Sequence, residues 1–175
     1  MSADLTRRLV VTGHDANGHS RVASDLLVSG HPVPNLPGGA ISHLWGADTI
    51  MQYPDNGDVA AVEAFFPPLH GTRLVEFYLP PGATEYVDEQ PQDSKMAEAA
   101  KLIKADRPGM HRTPTVDFVI VMEGRCDCEL DEGKVTLSKG DVVVQNGTIH
   151  GWFNPYDEPC RFLAVMVGAK NDLCP

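Results

Sequence analysis

The feature that most constrains this chain is the punctuation of residues 115–168. Short apolar or alternating runs are halted by turn residues at near-regular intervals. Val116–Met122 runs to Gly124, Arg125–Leu130 to Asp131-Glu132-Gly133, Lys134–Leu137 to Lys139-Gly140, and Asp141–Gln145 to Asn146-Gly147. His150–Phe153 and Cys160–Val167 complete the series. Runs this short cannot present a helical face, and turns this frequent fold the chain back on itself as a β-sandwich or barrel. The same grammar appears upstream. Arg7–Thr12 reads as a strand, Asn17-Gly18 is a hairpin signal, and Ser20–Ser24 is the return strand. Ile41–Trp45 is a short strand, and Arg73–Leu79 is a clearer one stopped by Pro80-Pro81-Gly82. Residues 30–39 and 53–71 are rich in Pro and Gly and read as surface loops, with Phe65-Phe66-Pro67-Pro68 packed against the core. Only 94–104 has helical spacing: Asp93 or Ser94 caps it, Met96, Ala100 and Ile103 recur on one face, and Pro108-Gly109 lies beyond its end. The expectation is a mainly β domain over 1–175, with strands and loops over 1–70, a core barrel over 71–168 and one inserted short helix.

Composition narrows the partners. Lys plus Arg number 14 against 24 Asp plus Glu, a formal charge of −10. Nucleic-acid backbones and anionic membrane surfaces both require the opposite sign, so neither is an expected partner. No apolar run reaches the roughly 18 residues of a membrane span. Met1–Arg8 lacks the apolar core of a signal peptide, so the expected compartment is the cytoplasm, where the four cysteines stay reduced. Cys126 and Cys128 alternate onto one strand face as small core residues, without the second pair or nearby histidines that a zinc site wants.

Two segments carry candidate chemistry: His111-Arg112-Thr113-Pro114-Thr115-Val116-Asp117 up to Gly124, and Gly140-Asp141 up to His150-Gly151-Trp152-Phe153-Asn154. Together and in this order they resemble the two motifs of the cupin superfamily. That family's first motif is a His-x-His pair followed by Glu and then Gly. Here His111 matches the first histidine, Thr113 stands in the place of the second, Asp117 in the place of Glu, and Gly124 closes the motif. The second motif is matched by Gly140, Gly147, His150 and Asn154, with Asn146 in the proline region. The likeness is strongest to small single-domain cupins with a His-Arg-Thr first motif and a Gly-Thr-x-His-x-Trp second motif. Residues 1–70 add only plausible extra strands to it.

The resemblance implies a double-stranded β-helix, the jelly-roll barrel, often a homodimer, with a small-molecule pocket inside. It implies a divalent metal, Fe, Mn, Ni or Zn, on His111, Asp117 and His150, a facial set with open positions. Thr113 removes a fourth ligand, and Asp for Glu shortens the reach. The site is therefore either a three-ligand metal centre or one that has lost its metal. With a metal, the implied reactions are decarboxylation, dioxygenation, isomerisation or dehydration of a small oxygenated acid or a phenolic, polyketide-like metabolite. Without one, Asp117 with His111 or His150 is an acid/base pair suited to dehydration, isomerisation or cyclisation. The third reading is a non-catalytic small-ligand binder. Arg112, Thr113, Trp152 and Tyr78 are the candidate substrate contacts. Phe77 and Tyr78 alternate, so one of them faces the pocket. Arg112 or the metal would supply the positive centre that an anionic substrate needs in so acidic a protein. His14, His19, His31, His43 and His70 read as surface or loop residues; the alternative is that one of them replaces the absent ligand from the barrel mouth. The 94–104 helix is a candidate lid.

Overall fold

The computed structural model describes residues 5–59, 62–87, 99, 101–102 and 106–174. Its strands, in chain order, are β1 (Arg7–His14), β2 (Ser20–Val28), β3 (His31–Pro32), β4 (Ala40–Ala47), β5 (Thr72–Leu79), β6 (Thr115–Glu123), β7 (Arg125–Leu130), β8 (Lys134–Ser138), β9 (Val142–Gln145), β10 (His150–Phe153) and β11 (Cys160–Gly168). The larger sheet runs β3-β4-β5-β11-β6-β9, and the smaller runs β10-β7-β8. Every ladder is antiparallel. This is the jelly-roll barrel. Most of the helix expected over 94–104 lies outside the described residues, with Ala99, Lys101 and Leu102 the described exceptions. Among the described residues no helix is long and apolar enough to cross a membrane.

Alternation places the core. On β11, Cys160, Phe162, Ala164 and Met166 are buried, while Arg161, Leu163 and Val165 between them are only half-buried. On β6, Thr115, Asp117, Val119 and Val121 share the inner face. The two strands pair directly, Phe162 opposite Val121 and Met166 opposite Asp117. Cys126, Cys128 and Cys160 are buried in this core, and all four cysteines are free. Cys160 thus joins the two thiols of β7 although it stands apart in sequence.

The chain changes sheets at glycines. Gly124 joins β6 of the larger sheet to β7 of the smaller, with φ +66°, and a side chain there would collide with the Pro159 carbonyl. Gly147, between β9 and β10, has φ +58°, and the Thr113 carbonyl lies 3.0 Å from where its Cβ would stand. Both are glycines of the motifs, and both positions exclude side chains on geometric grounds. Asn154 is wholly buried and donates to the carbonyls of Pro80 (3.0 Å) and Glu158 (2.8 Å), so the last residue of the second motif clamps loops.

β9 is the edge of its sheet, with one outward face uncovered, and its Val142 and Val144 are exposed. Two expectations change. The return strand of the first hairpin extends to Val28, well beyond Ser24. Residues 1–70 contribute more than extra strands. Arg73 is buried and donates to the carbonyls of Ala64 (3.0 Å) and Ala47 (3.2 Å) and to Asp48 (2.5 Å), which pins the loop carrying Phe65 and Phe66 against the barrel.

Candidate functional site

The barrel encloses a cavity of about 120 Å³, lined chiefly by apolar and aromatic side chains. Phe77 stacks on Phe162 with ring centres 5.0 Å apart, and Trp152 tilts against the same ring at 4.7 Å. Phe65 and Phe66 close another side, edge to face at 4.7 Å. Phe77 and Tyr78 both line the cavity, where alternation had assigned only one of them.

Into this apolar space the two motifs place a polar cluster. The backbones of His111 and His150 pair reciprocally, with N–H···O distances of 2.8 and 2.9 Å, which joins the motifs at one point. Their rings lie 4.4 Å apart. Each Nδ1 faces a backbone carbonyl, that of Gly109 for His111 (3.0 Å) and that of Thr148 for His150 (2.9 Å). A carbonyl only accepts, so each Nδ1 carries the hydrogen and each Nε2 is left with a bare lone pair. Burial pushes the His111 imidazole below its usual range against the opposing Gly109 bond. Burial, then the neighbouring His111, pushes His150 down to about 3, opposed by its Thr148 bond.

Asp117 lines the same cavity from β6. Alternation with Val119 and Val121 turns it inward, where its Oδ1 is buried with no hydrogen-bond partner among the described residues. Burial raises its carboxyl to about 6, against a lowering contribution from the Thr115 hydroxyl. Thr113 is buried on the same wall and accepts from the Thr115 hydroxyl at 2.9 Å. His111, Thr113, Asp117, His150, Trp152 and Tyr78 therefore all line one cavity.

Arg112 does not. Between the inward-facing His111 and Thr113 it turns outward and donates to the Leu173 carbonyl at 2.8 Å. The expected positive centre is absent from the described lining, which contains no lysine or arginine. None of His14, His19, His31, His43 and His70 lines the cavity either; His43 packs edge-on against Phe65 at 5.1 Å.

The two imidazoles have the tautomer a metal would require, with Nδ1 held by a carbonyl and Nε2 free. The third donor does not join them. Among the described residues no group of three or more His, Cys, Asp or Glu side chains stands close enough to hold one ion. Thr113 occupies the place of a further imidazole. The residues present do not fit the three-ligand centre on His111, Asp117 and His150, and no step is derived through it.

Some of the wall was not foreseen. Tyr86 donates to the Trp152 carbonyl at 2.8 Å, and its ring lies against Gly109, whose carbonyl holds the His111 tautomer. Asn171 donates to the carbonyls of Thr113 (2.9 Å) and Gly147 (3.0 Å), linking the two motifs from the far end of the chain. Both lie in irregular segments, where no periodicity signals direction. Ala99 also lines the cavity; the lid expectation for 94–104 otherwise falls outside the described residues.

The chain has relatives among known proteins. Residues 101–166 match the family model described as a cupin domain. Over 97 residues the chain is 42% identical to Oryzines biosynthesis cluster protein J of Aspergillus oryzae, covering 54% of this chain and 47% of that protein. Over 148 residues it is 30% identical to Phomopsin biosynthesis cluster protein D of Diaporthe leptostromiformis, covering 82% of this chain and 68% of that protein. The chain thus spans just under half of the first relative and about two thirds of the second. Among solved structures, the polyketide cyclase RemF from Streptomyces resistomycificus aligns at a TM-score of 0.45 and 18% identity, over 76% of this chain and 67% of that one.

Proposed function

The chain belongs to the cupin family, and on that premise we propose that it is a small-molecule enzyme that relocates a proton within a small oxygenated metabolite. The observation that carries this reading is the unpartnered buried oxygen of Asp117 sharing a cavity with the two bare Nε2 atoms of His111 and His150. Burying polar atoms without partners costs free energy, and such atoms are found where a ligand completes their bonding. The names of two relatives, each a member of a biosynthesis cluster, support a role in making a small metabolite.

In the proposed reaction one side chain takes a proton from a C–H or O–H beside a substrate carbonyl. The conjugate acid, or its neighbour in the cluster, returns a proton to another carbon or oxygen of the same molecule. Isomerisation and ring closure conserve the atoms; dehydration releases water from a protonated hydroxyl. The aromatic walls exclude bulk water and hold the apolar part of the substrate. Asp117 and the imidazole pair supply the exchange, and Thr113, Trp152 and Tyr78 orient the substrate.

The test does not require the natural substrate. Small enolisable hydroxyketones, such as hydroxyacetone and 2-hydroxycyclohexanone, are incubated with the protein in deuterated water, and loss of the α-proton signal is followed by NMR. The expected result is accelerated exchange that falls by about 10²–10⁴ in Asp117→Asn, the usual share of general acid–base catalysis. Exchange at equal rates in both proteins contradicts the reading.

A further inference from the structure

We infer that the ligand of this cavity is a neutral, hydroxyl-bearing molecule about the size of one six-membered ring, not a carboxylate anion. The inference rests on the functional reading above and sets the substrate class for the same site.

Three observations meet. First, the groups that line the cavity are acceptors: each histidine has spent its Nδ1 hydrogen on a carbonyl and is left with a lone pair, and Asp117 brings a carboxyl with one buried, unpartnered oxygen. A ligand hydroxyl can donate to such groups, whereas a ligand carboxylate brings only further lone pairs. Second, no lysine or arginine lines the cavity among the described residues, and Arg112 is held outside it by Leu173. The neutral donors on the wall, Trp152 and Tyr78, carry no charge to offset an anion set beside Asp117. The protein's net charge of −10 adds to the repulsion. Third, the volume is about 120 Å³. An apolar cavity of about 150 Å³ takes up benzene, so this smaller, partly open space holds no more than a single ring, with a short polar arm toward the opening. The stacked Phe77, Phe162 and Trp152 rings give such a ring its apolar face.

Of the two classes implied at the outset, a small acid or a phenolic metabolite, the cavity favours the second: a hydroxylated ring, a phenol or a cyclic hydroxyketone, and the reaction that supplies it must deliver a neutral molecule.

The test compares benzyl alcohol with benzoate, which share a ring and differ in the charge of the arm. Binding to the full-length protein as purified is titrated near neutral pH by ligand-observed NMR. The expected result is that benzyl alcohol binds more tightly by about tenfold or more, since like charges set against one another in a desolvated site cost upwards of a kilocalorie. In Asp117→Asn the gap narrows, because benzoate then no longer faces a carboxylate. Benzoate binding as tightly as benzyl alcohol, or more tightly, overturns the inference and marks a cationic centre in the cavity. Binding of neither ring overturns it as well. Because equilibrium binding is read without turnover, these outcomes are separate from those of the exchange assay: absent proton exchange with intact alcohol preference removes the reaction and leaves the ligand class standing.

Discussion

Two buried aspartates on consecutive strands, one in each sheet of this barrel, have opposite surroundings. Asp127, on β7, is 3% exposed and accepts from the Lys134 ammonium (2.6 Å), the Thr136 hydroxyl (2.8 Å) and the Tyr156 hydroxyl (2.9 Å). Burial opposes its charge, but those three donors together outweigh burial and hold its carboxyl below the usual range. Asp117, on β6, is 5% exposed, has an oxygen without a partner, and is raised to about 6 by burial. Surface exposure is nearly equal, but Asp117 lies deeper and has only the Thr115 hydroxyl against burial, whereas three donors meet Asp127. The satisfied aspartate holds the smaller sheet together, while the unsatisfied one faces the cavity.

The largest effect that would break this contrast is in chemistry. Asp117→Asn is expected to lower α-proton exchange by about 10²–10⁴. Asp127→Asn, where it folds, leaves the exchange rate within about threefold, because its carboxyl lies in a separate network and touches nothing in the cavity. Equal losses in both would dissolve the distinction.

Stability should invert the order. Asp127→Ala removes the acceptor of one charged and two hydroxyl donors, and chemical denaturation should show a loss of about 3 kcal/mol. Asp117→Asn should not destabilise near neutral pH.

The pH dependence follows from the same groups, with the sign set by each shift. The carboxyl of Asp117 has a folded value of about 6 against 3.8 in the open chain, so its favourable contribution is complete below 3.8 and is lost as pH rises through about 6. By linkage that loss is about 3 kcal/mol. Asp127, shifted the other way, contributes above its ordinary value and loses that contribution as pH falls. His150, lowered to about 3, likewise loses its contribution as pH falls below 6.5. Denaturation of wild type beside Asp117→Asn isolates the first term: the variant gains relative to wild type between about pH 4 and 6 and is level with it below. A gap that stays constant with pH would show that Asp117 is paired in solution.

The smallest effect tests the satisfied side. Tyr156→Phe deletes one donor to Asp127 and should cost about 1 kcal/mol, leaving ligand binding unchanged in the benzyl alcohol titration.

The Asp117 side of this contrast is legible in the sequence, whereas alternation puts Asp127 on the face opposite Cys126 and Cys128 and gives no sign of its burial. Asp117 lies in register with Val119 and Val121, so two-residue alternation turns it into the core; His150 and Trp152 share a face by the same rule. Cys126 and Cys128 follow it too, as core residues. Alternation also accounts for Arg112, which must turn outward if His111 and Thr113 turn inward, though the charge argument had drawn it toward a substrate. The exposed Val142 and Val144 were not legible, because an apolar run has the same composition at a sheet edge as in a covered strand. Tyr86 and Asn171 lie in irregular segments, and their directions come from tertiary bonds such as that of Tyr86 to the Trp152 carbonyl and those of Asn171 itself. The separation of Asp117 from the imidazole pair is likewise a property of three dimensions: motif spacing names the donors without fixing their mutual distance.

The most direct measurement is the site-resolved titration of both aspartate side chains by carboxyl-detected NMR in one sample of the purified protein. The account predicts that Asp117 titrates near 6 while Asp127 titrates below 3.8. Two carboxyls titrating together at the ordinary aspartate value, or an Asp117 that stays ionised well below it, would contradict the claim that this carboxyl is held unpaired for a ligand.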